Sequence, residues 1–287
     1  PSWVRARPVE RPAARSYRGS VRGVVLDWSG TTVDAYVIAP AIVFVEVFHN
    51  QGVEISMKEA RGPMGLRKDL HIAALTELPA IRERWFAVHG RHPDQADVAA
   101  MFEDFVPRQV ECLPRYAELL PGVVEMAERL RSDHDIRIGV STGFTRPMVD
   151  VLLEHASEQG FRPDCAVAGD DVEHGARPRP FMVFRNMDLL DVHPVQAVVK
   201  VDDTGSGVGE GVEAGCWSVG IARYSNYLNI NSLQEAAEMS AAEFAERLAF
   251  TREQLWEAGA HYVIDEPMEL PAVIEEINTR LAVGDTP

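Results

Sequence analysis

The sequence predicts an α/β fold: a doubly wound parallel sheet interrupted by a helical insertion. Three observations carry that prediction. Short apolar runs rich in β-branched residues recur along the chain, starting at residues 23–27. From residue 121 onward they alternate with amphipathic helical stretches, which is the βαβ rhythm of a parallel sheet. Between the first run and that regular alternation, roughly 80 residues pass with helical spacing and no convincing strand.

Residues 23–27 (GVVLD) read as a buried parallel strand that ends in an acid and meets a loop at Gly30. In residues 40–51 the apolar positions Ile42, Val43, Val45, Val47 and Phe48 suit a largely buried helix, and further helices are expected over 67–78, 81–88 and 94–112. Beyond Pro121 the expected order is helix 123–131, strand 136–142, helix 146–159, strand 165–168 and helix 181–190. Strand 197–201, helix 208–214 and strand 217–221 follow, then a long helix 236–258, strand 262–264 and helix 268–281. The chain therefore divides into a core, 21–36 with 115–287, and a helical insertion over 37–114. Residues 1–20 carry Arg5, Arg7, Arg11, Arg15 and Arg18 among prolines, without the apolar segment of a secretory signal, and read as a loose tail.

At 287 residues, 46% hydrophobic and 25% charged, the composition is that of an ordinary globular protein. A formal net charge of −16 repels phosphate backbones and anionic bilayers, so nucleic acid and membrane surfaces are not expected partners. No apolar run approaches the ~18 residues of a membrane span. Cys112, Cys165 and Cys216 are too far apart for a metal knuckle, and their odd number leaves a thiol unpaired, which points to the reducing cytoplasm.

Ligands of open parallel sheets sit beyond the carboxyl ends of the strands. The residues expected there are Asp27, Ser141 with Thr142, and Asp202 with Asp203. A carboxylate, a hydroxyl and a carboxylate pair from three strands form a set that can hold a divalent cation and a phosphoryl group. The glycines of residues 203–211 do not keep dinucleotide-binding spacing, and the two acids before them would repel a pyrophosphate. A metal-binding loop running into a helix accounts for them instead.

Four segments in this order resemble the motifs of the haloacid dehalogenase superfamily: Asp27-Trp28-Ser29-Gly30-Thr31-Thr32-Val33-Asp34, Ser141-Thr142 within GVSTGFTR, Ala176-Arg177-Pro178 and Lys200-Val201-Asp202-Asp203. The DWxGTTVD form, together with Pro63-Met64-Gly65-Leu66-Arg67-Lys68-Asp69-Leu70-His71 in the insertion, resembles the phosphonatase family in particular. That resemblance implies a Rossmann-like core of haloacid dehalogenase type, with the insertion as a mobile α-helical cap hinged near residues 34–40 and 112–121. It implies cleavage of the carbon–phosphorus bond of phosphonoacetaldehyde, with Asp27 as nucleophile and Lys68 as the Schiff-base lysine. Thr142 and Arg177 would hold phosphoryl oxygens, His71 would move protons, and Met64, Ser141 and Gly143 would contact substrate. Mg²⁺ would be held by Asp27, Asp203 and the carbonyl of Ser29, and the cations Arg67 and Mg²⁺ would help keep Lys68 neutral.

Some positions depart from that family's pattern. Ser29 stands where phosphatases carry a general-acid Asp, Phe144 replaces a Tyr, and Gly207 replaces an acid for which Asp202 could compensate. Two other readings remain open: a related hydrolase acting on a phosphate ester or another carbonyl phosphonate, and a non-catalytic phosphonate-binding relative. The apolar residues Phe44, Phe48, Trp85, Phe86, Met101, Phe102 and Phe105 are more than a small helical unit is expected to bury alone. With the resemblance, they suggest a homodimer formed through the cap.

Overall fold

A computed structural model describes residues 17–287; most of the expected tail lies outside them. All six expected strands form: β1 (Gly23–Leu26), β2 (Arg137–Ser141), β3 (Cys165–Val167), β4 (Val198–Asp202), β5 (Trp217–Ile221) and β6 (Tyr262–Ile264). They make one parallel sheet in the order β3-β2-β1-β4-β5-β6. Gly23 of β1 lies in register with Arg137 on one side and Val198 on the other. β1 and β4 are buried throughout, which is why their sequences are valine-rich rather than alternating. The strand order turns back at β1, so the crevice beyond the ends of β1, β2 and β4 is the topological switch point.

The insertion that follows β1 holds five helices: α1 (Ile38–Asn50), α2 (Met57–Arg61), α3 (Lys68–Glu77), α4 (Pro79–His89) and α5 (Gln95–Cys112). α5 packs against both α1 and α3. The sequence reading missed α2, although Ser56 and Glu59 form the capping box that announces it. The rest of the core carries α6 (Val123–His134), α7 (Arg146–Glu158), α8 (Phe181–Leu190), α9 (Gly205–Ala214), α10 (Leu233–Glu238), α11 (Ala241–Glu257) and α12 (Leu270–Ala282).

Three expectations need correction. The helix expected over 236–258 is two, because Met239 is extended and the Ser240 hydroxyl accepts from the Glu243 N–H to start α11 afresh. The glycines after Asp203 are not a loop: Thr204 caps α9, which begins at Gly205, three residues earlier than expected. Most of the apolar residues of the insertion are also hidden without a second chain. Phe44, Phe48, Trp85, Met101 and Phe105 are buried within this one, and only Phe86 among the seven stands half exposed. Phe44 and Phe105 stack with ring centroids 4.5 Å apart.

The connection into the insertion is strained. Asp34, Tyr36 and Val37 have φ of 52°, 69° and 54°, and a left-handed conformation is costly for β-branched Val37. The Asp34 carboxylate offsets part of that cost by accepting from the N–H groups of Ile38 and Ala39 at the start of α1. The return connection runs through a short 3₁₀ turn, Leu113–Tyr116.

Candidate active site

Asp27 follows β1 directly and is fixed by its backbone, whose N–H donates to Val201 O (3.0 Å) and whose carbonyl accepts from the Thr32 hydroxyl (3.0 Å). Its carboxylate is one of four buried acids around a single guanidinium. Arg177 Nη2 donates to Asp27 Oδ1 (2.7 Å) and to the Ser141 carbonyl (2.8 Å), and lies 3.1 Å from Asp202 Oδ2. Its Nε donates to Glu210 Oε2 (3.0 Å). Burial alone would disfavour the guanidinium charge, but Asp202, Asp27 and Glu210 outweigh it and hold Arg177 charged beyond its ordinary range. Nη1 makes no hydrogen bond among the described residues and is the nitrogen left for a ligand.

Asp203, the fourth acid, accepts the Asn226 N–H on Oδ2 (2.9 Å), while its buried Oδ1 has no partner. Burial, then Asp202 and Asp27, pushes its carboxyl well above the usual range. Asp27 is also raised, by burial against the opposing pull of Arg177. Oxygens of Asp27, Asp202 and Asp203 lie within 4.8 Å of one another. An orphaned carboxylate oxygen among crowded buried acids is the donor set of a hard divalent cation, so these residues fit one.

The insertion closes over this edge. Met64, Gly65 and Lys68 line one cavity with Asp27, Ser29, Thr142, Gly143, Phe144, Arg177 and Asp203. The cavity is only about 20 Å³, room for a water molecule and not for a substrate, so the insertion and the sheet edge are packed closely together here. Glycine is required at 143, because a Cβ there would lie 2.5 Å from the Leu66 carbonyl of the insertion.

Lys68 begins α3 and is buried. Its Nζ lies 4.8 Å from the Phe144 ring centroid and 5.8 Å from that of Phe44, and makes no hydrogen bond or ion pair among the described residues. Burial lowers its pKa to about 8; Arg177 adds to the effect, while Asp27, Asp34 and Asp203 oppose it. The expected cation Arg67 is not the cause, since both its Nε and Nη2 are engaged by Asp69 at 2.7 and 2.6 Å.

Of the other expected site residues, Thr142 lines the cavity and its hydroxyl accepts from the Phe144 N–H (3.2 Å). Ser141 faces Arg177, its hydroxyl accepting from Nη2 at 3.2 Å, and does not line the cavity. His71 lies outside the cavity wall, stacked on Phe44 at 3.8 Å, with its Nε2 bonded to the Ala60 carbonyl (2.8 Å). Burial and Lys68 hold it neutral, well below the ordinary histidine range, and its Nδ1 is unpartnered. Trp28 is a core residue, edge-on to Phe161.

Sequence reasoning missed Glu210 and Asn226. Glu210 falls on the buried stripe Gly207, Gly211, Ala214 of α9, a helical period that could have revealed it. Asn226 had no such signal. Its backbone holds Asp203, and its side chain exchanges hydrogen bonds with Arg61 of the insertion: Arg61 Nη1 donates to Asn226 Oδ1 (3.1 Å), and Asn226 Nδ2 to the Arg61 carbonyl (3.2 Å).

A parallel sheet with an aspartate after β1, a hydroxyl after β2, a buried arginine and an acid pair after β4 defines a hydrolase of the haloacid dehalogenase type. Its fold is shared by the beta-phosphoglucomutase of Clostridium difficile, with a TM-score of 0.63 at 17% identity, covering 92% of this chain and 99% of that one. The chain belongs to the phosphonoacetaldehyde hydrolase family. It is 44% identical over 273 residues to the phosphonoacetaldehyde hydrolase of Syntrophobacter fumaroxidans, covering 95% of this chain and 98% of that protein. Identity to the Bacillus cytotoxicus phosphonoacetaldehyde hydrolase is 45% over 257 residues, with coverage of 90% and 96%. The crystal structure of a phosphonoacetaldehyde hydrolase-like protein from Oleispira antarctica superposes with a TM-score of 0.90 at 34% identity, covering 94% and 97%. No family model matches the chain.

Proposed function

We propose that this enzyme hydrolyses phosphonoacetaldehyde to acetaldehyde and phosphate, with residues 37–114 acting as the cap over a core of 21–36 and 115–287. The observation that carries the reading is Lys68, a buried and unpaired amine in the same cavity as Asp27, with its pKa lowered by burial to about 8. Ser29 occupies the place from which a phosphate ester's leaving oxygen would receive its proton, and a hydroxyl is too weak an acid for that task. A phosphonate expels carbon instead, which requires an electron sink.

The neutral Lys68 amine adds to the aldehyde carbon, and the carbinolamine takes up a proton and loses water to give a protonated imine. An oxygen of Asp27 then attacks phosphorus, and the carbon–phosphorus bonding pair moves into the enamine. Protonation and hydrolysis of the enamine release acetaldehyde and return the amine, and water cleaves the aspartyl phosphate. Arg177 Nη1 and the Thr142 hydroxyl hold phosphoryl oxygens, while Met64 and Gly143 shape the wall around the aldehyde. His71 Nε2 donates to a carbonyl, which leaves the unpartnered Nδ1 as an acceptor for proton transfer. Mg²⁺ is the cation the acids suit; Asp27, Asp203 and the Ser29 carbonyl would hold it, and when bound it would lower the repulsion between two anions.

The test is stoichiometric release of phosphate and acetaldehyde from phosphonoacetaldehyde. Release of phosphate from esters alone would favour a plain phosphatase, and no turnover a binding relative. Excess chelator should stop the reaction, and Asp203→Asn should weaken Mg²⁺ binding by ~10- to 100-fold in calorimetry. Full activity in chelator contradicts the metal assignment.

Two further parts of the reading concern setting and assembly. Three free thiols suit the cytoplasm. A homodimer through the cap fits the exposed Leu70, Phe86 and Val88 on α3 and α4. Light scattering at micromolar concentration should give twice the chain mass, and a strictly monomeric mass contradicts the dimer.

A further inference from the structure

Arg61 ends α2 of the insertion and is buried, where a guanidinium is ordinarily a surface group. Its hydrogen bonds all leave its own helix. Nη1 donates to the Tyr36 carbonyl (2.6 Å) and to Asn226 Oδ1 (3.1 Å), Nη2 to the Ile230 carbonyl, and Nε to Asn231 Oδ1 (3.2 Å). One planar fork therefore ties residues 226–231 of the core to Tyr36, one of the left-handed residues that lead into the insertion. Burial lowers its pKa to about 10 against the pull of Asp34, Glu235 and Asp203, so Arg61 is still charged at pH 7.

The core segment that Arg61 grips is itself tied to Asp203. Asn226 opens a short 3₁₀ turn, Asn226–Leu228, and its N–H donates to Asp203 Oδ2 (2.9 Å), while the Ser225 hydroxyl donates to the Asp203 carbonyl (2.7 Å). The Asn226 side chain answers Arg61 in both directions, accepting from Nη1 and donating from Nδ2 to the Arg61 carbonyl (3.2 Å). Two links thus separate the guanidinium from the carboxylate. The bond from Asn226 occupies Oδ2, and it leaves the unpartnered Oδ1 as the oxygen free for a cation.

We infer that Arg61 is a positioning residue for the metal site: through the Asn226 side chain and the turn it opens, it holds the Asp203 carboxylate with Oδ1 free. The insertion then does more than bring Lys68 to the sheet edge, because it also fixes one acid of the core. The geometry asks for the fork and not only for its charge. An ammonium at 61 cannot meet the Tyr36 carbonyl, Asn226 Oδ1, the Ile230 carbonyl and Asn231 Oδ1 together, since it is a point charge and not a rigid plane of donors.

The inference rests on the reading of Asp203 as a metal ligand, so calorimetry first compares the parent with Asp203→Asn. Given weaker Mg²⁺ binding in Asp203→Asn, Arg61→Met should weaken it by ~10-fold, and Arg61→Lys by nearly as much. Asn226→Ala removes the side-chain link and keeps the backbone N–H, and it should cost ~5-fold. Combined with Arg61→Met, it should cost well under the product of the two single losses, because both act on one link. Parent-level affinity in folded Arg61→Met or Arg61→Lys, or losses that multiply in the double variant, would overturn the inference. Should Arg61→Met not fold, Asn226→Ala decides: weakened binding supports the inference and parent-level binding overturns it. Equal affinity in the parent and Asp203→Asn would sink the metal reading instead, and hydrogen exchange in chelator then decides this one. Exchange of the Asn226 amide, the last link to Asp203, should rise ~10-fold in Arg61→Met; unchanged exchange overturns the inference.

Discussion

Asp27→Asn is expected to abolish phosphate release while leaving the protein at least as resistant to heat as the parent when metal is absent. The kinetic half follows from chemistry. An amide oxygen is a poor nucleophile toward phosphorus, so the loss should reach at least ~10⁴-fold, about 5.5 kcal/mol of barrier. The stability half follows from the crowding of Asp27, Asp202, Asp203 and Glu210 around Arg177. Burial and the two neighbouring aspartates already push the Asp203 carboxyl upward, and burial pushes Asp27 the same way. Asparagine keeps the oxygen that accepts from Arg177 Nη2 and removes one like charge, while Asp202 and Glu210 still pair the guanidinium. Turnover and thermal unfolding in chelator check both halves. Parent-level phosphate release from a folded variant would remove Asp27 from the mechanism, and a large drop in unfolding temperature would show that its charge is needed by the fold.

The strands were legible because buried parallel strands are written as short valine-rich runs, and each such run ends where the sheet ends. The aspartate that ends GVVLD and the acid pair after Lys200-Val201 could be assigned to one edge from the sequence alone, since parallel strands share a direction. What could not be read were effects of three-dimensional crowding. Glu210 looks like a surface acid among glycines until Arg177, far away in sequence, arrives beside it. Asn226 acts through its backbone, which carries no residue-type signal. The apolar residues of the insertion were misjudged because the sequence does not show how completely α1, α3 and α5 interleave. The role of Arg67 was misplaced because its partner Asp69 is only two residues away and takes its charge locally.

Lys68→Arg is expected to end carbon–phosphorus cleavage in a protein that still folds and binds Mg²⁺. Guanidinium keeps the positive charge over Phe144 and Phe44, so the packing of residue 68 against these two rings survives. It stays protonated and cannot condense with an aldehyde, so the electron sink is gone and turnover should fall by at least ~10³-fold. The parent offers a second measurement of the same group. With burial lowering its pKa to about 8, the neutral fraction of Lys68 is about one in ten at pH 7, half at pH 8 and nine in ten at pH 9. Borohydride trapping with acetaldehyde, corrected for the reagent's own pH dependence, should therefore rise about fivefold from pH 7 to 8 and level off near pH 9. An ordinary surface lysine, with a pKa near ~10.4, would gain about tenfold per unit well past that point. The added mass should fall on the peptide containing Lys68 and vanish in Lys68→Arg. A phosphatase or a binding relative needs no amine there, and its lysine-to-arginine variant would behave like its parent. If Lys68→Arg released phosphate from phosphonoacetaldehyde at the parent rate, or if trapping labelled another lysine with no plateau, the imine would not form on Lys68 and the sink for the carbon–phosphorus electrons would have to be sought elsewhere in the cavity.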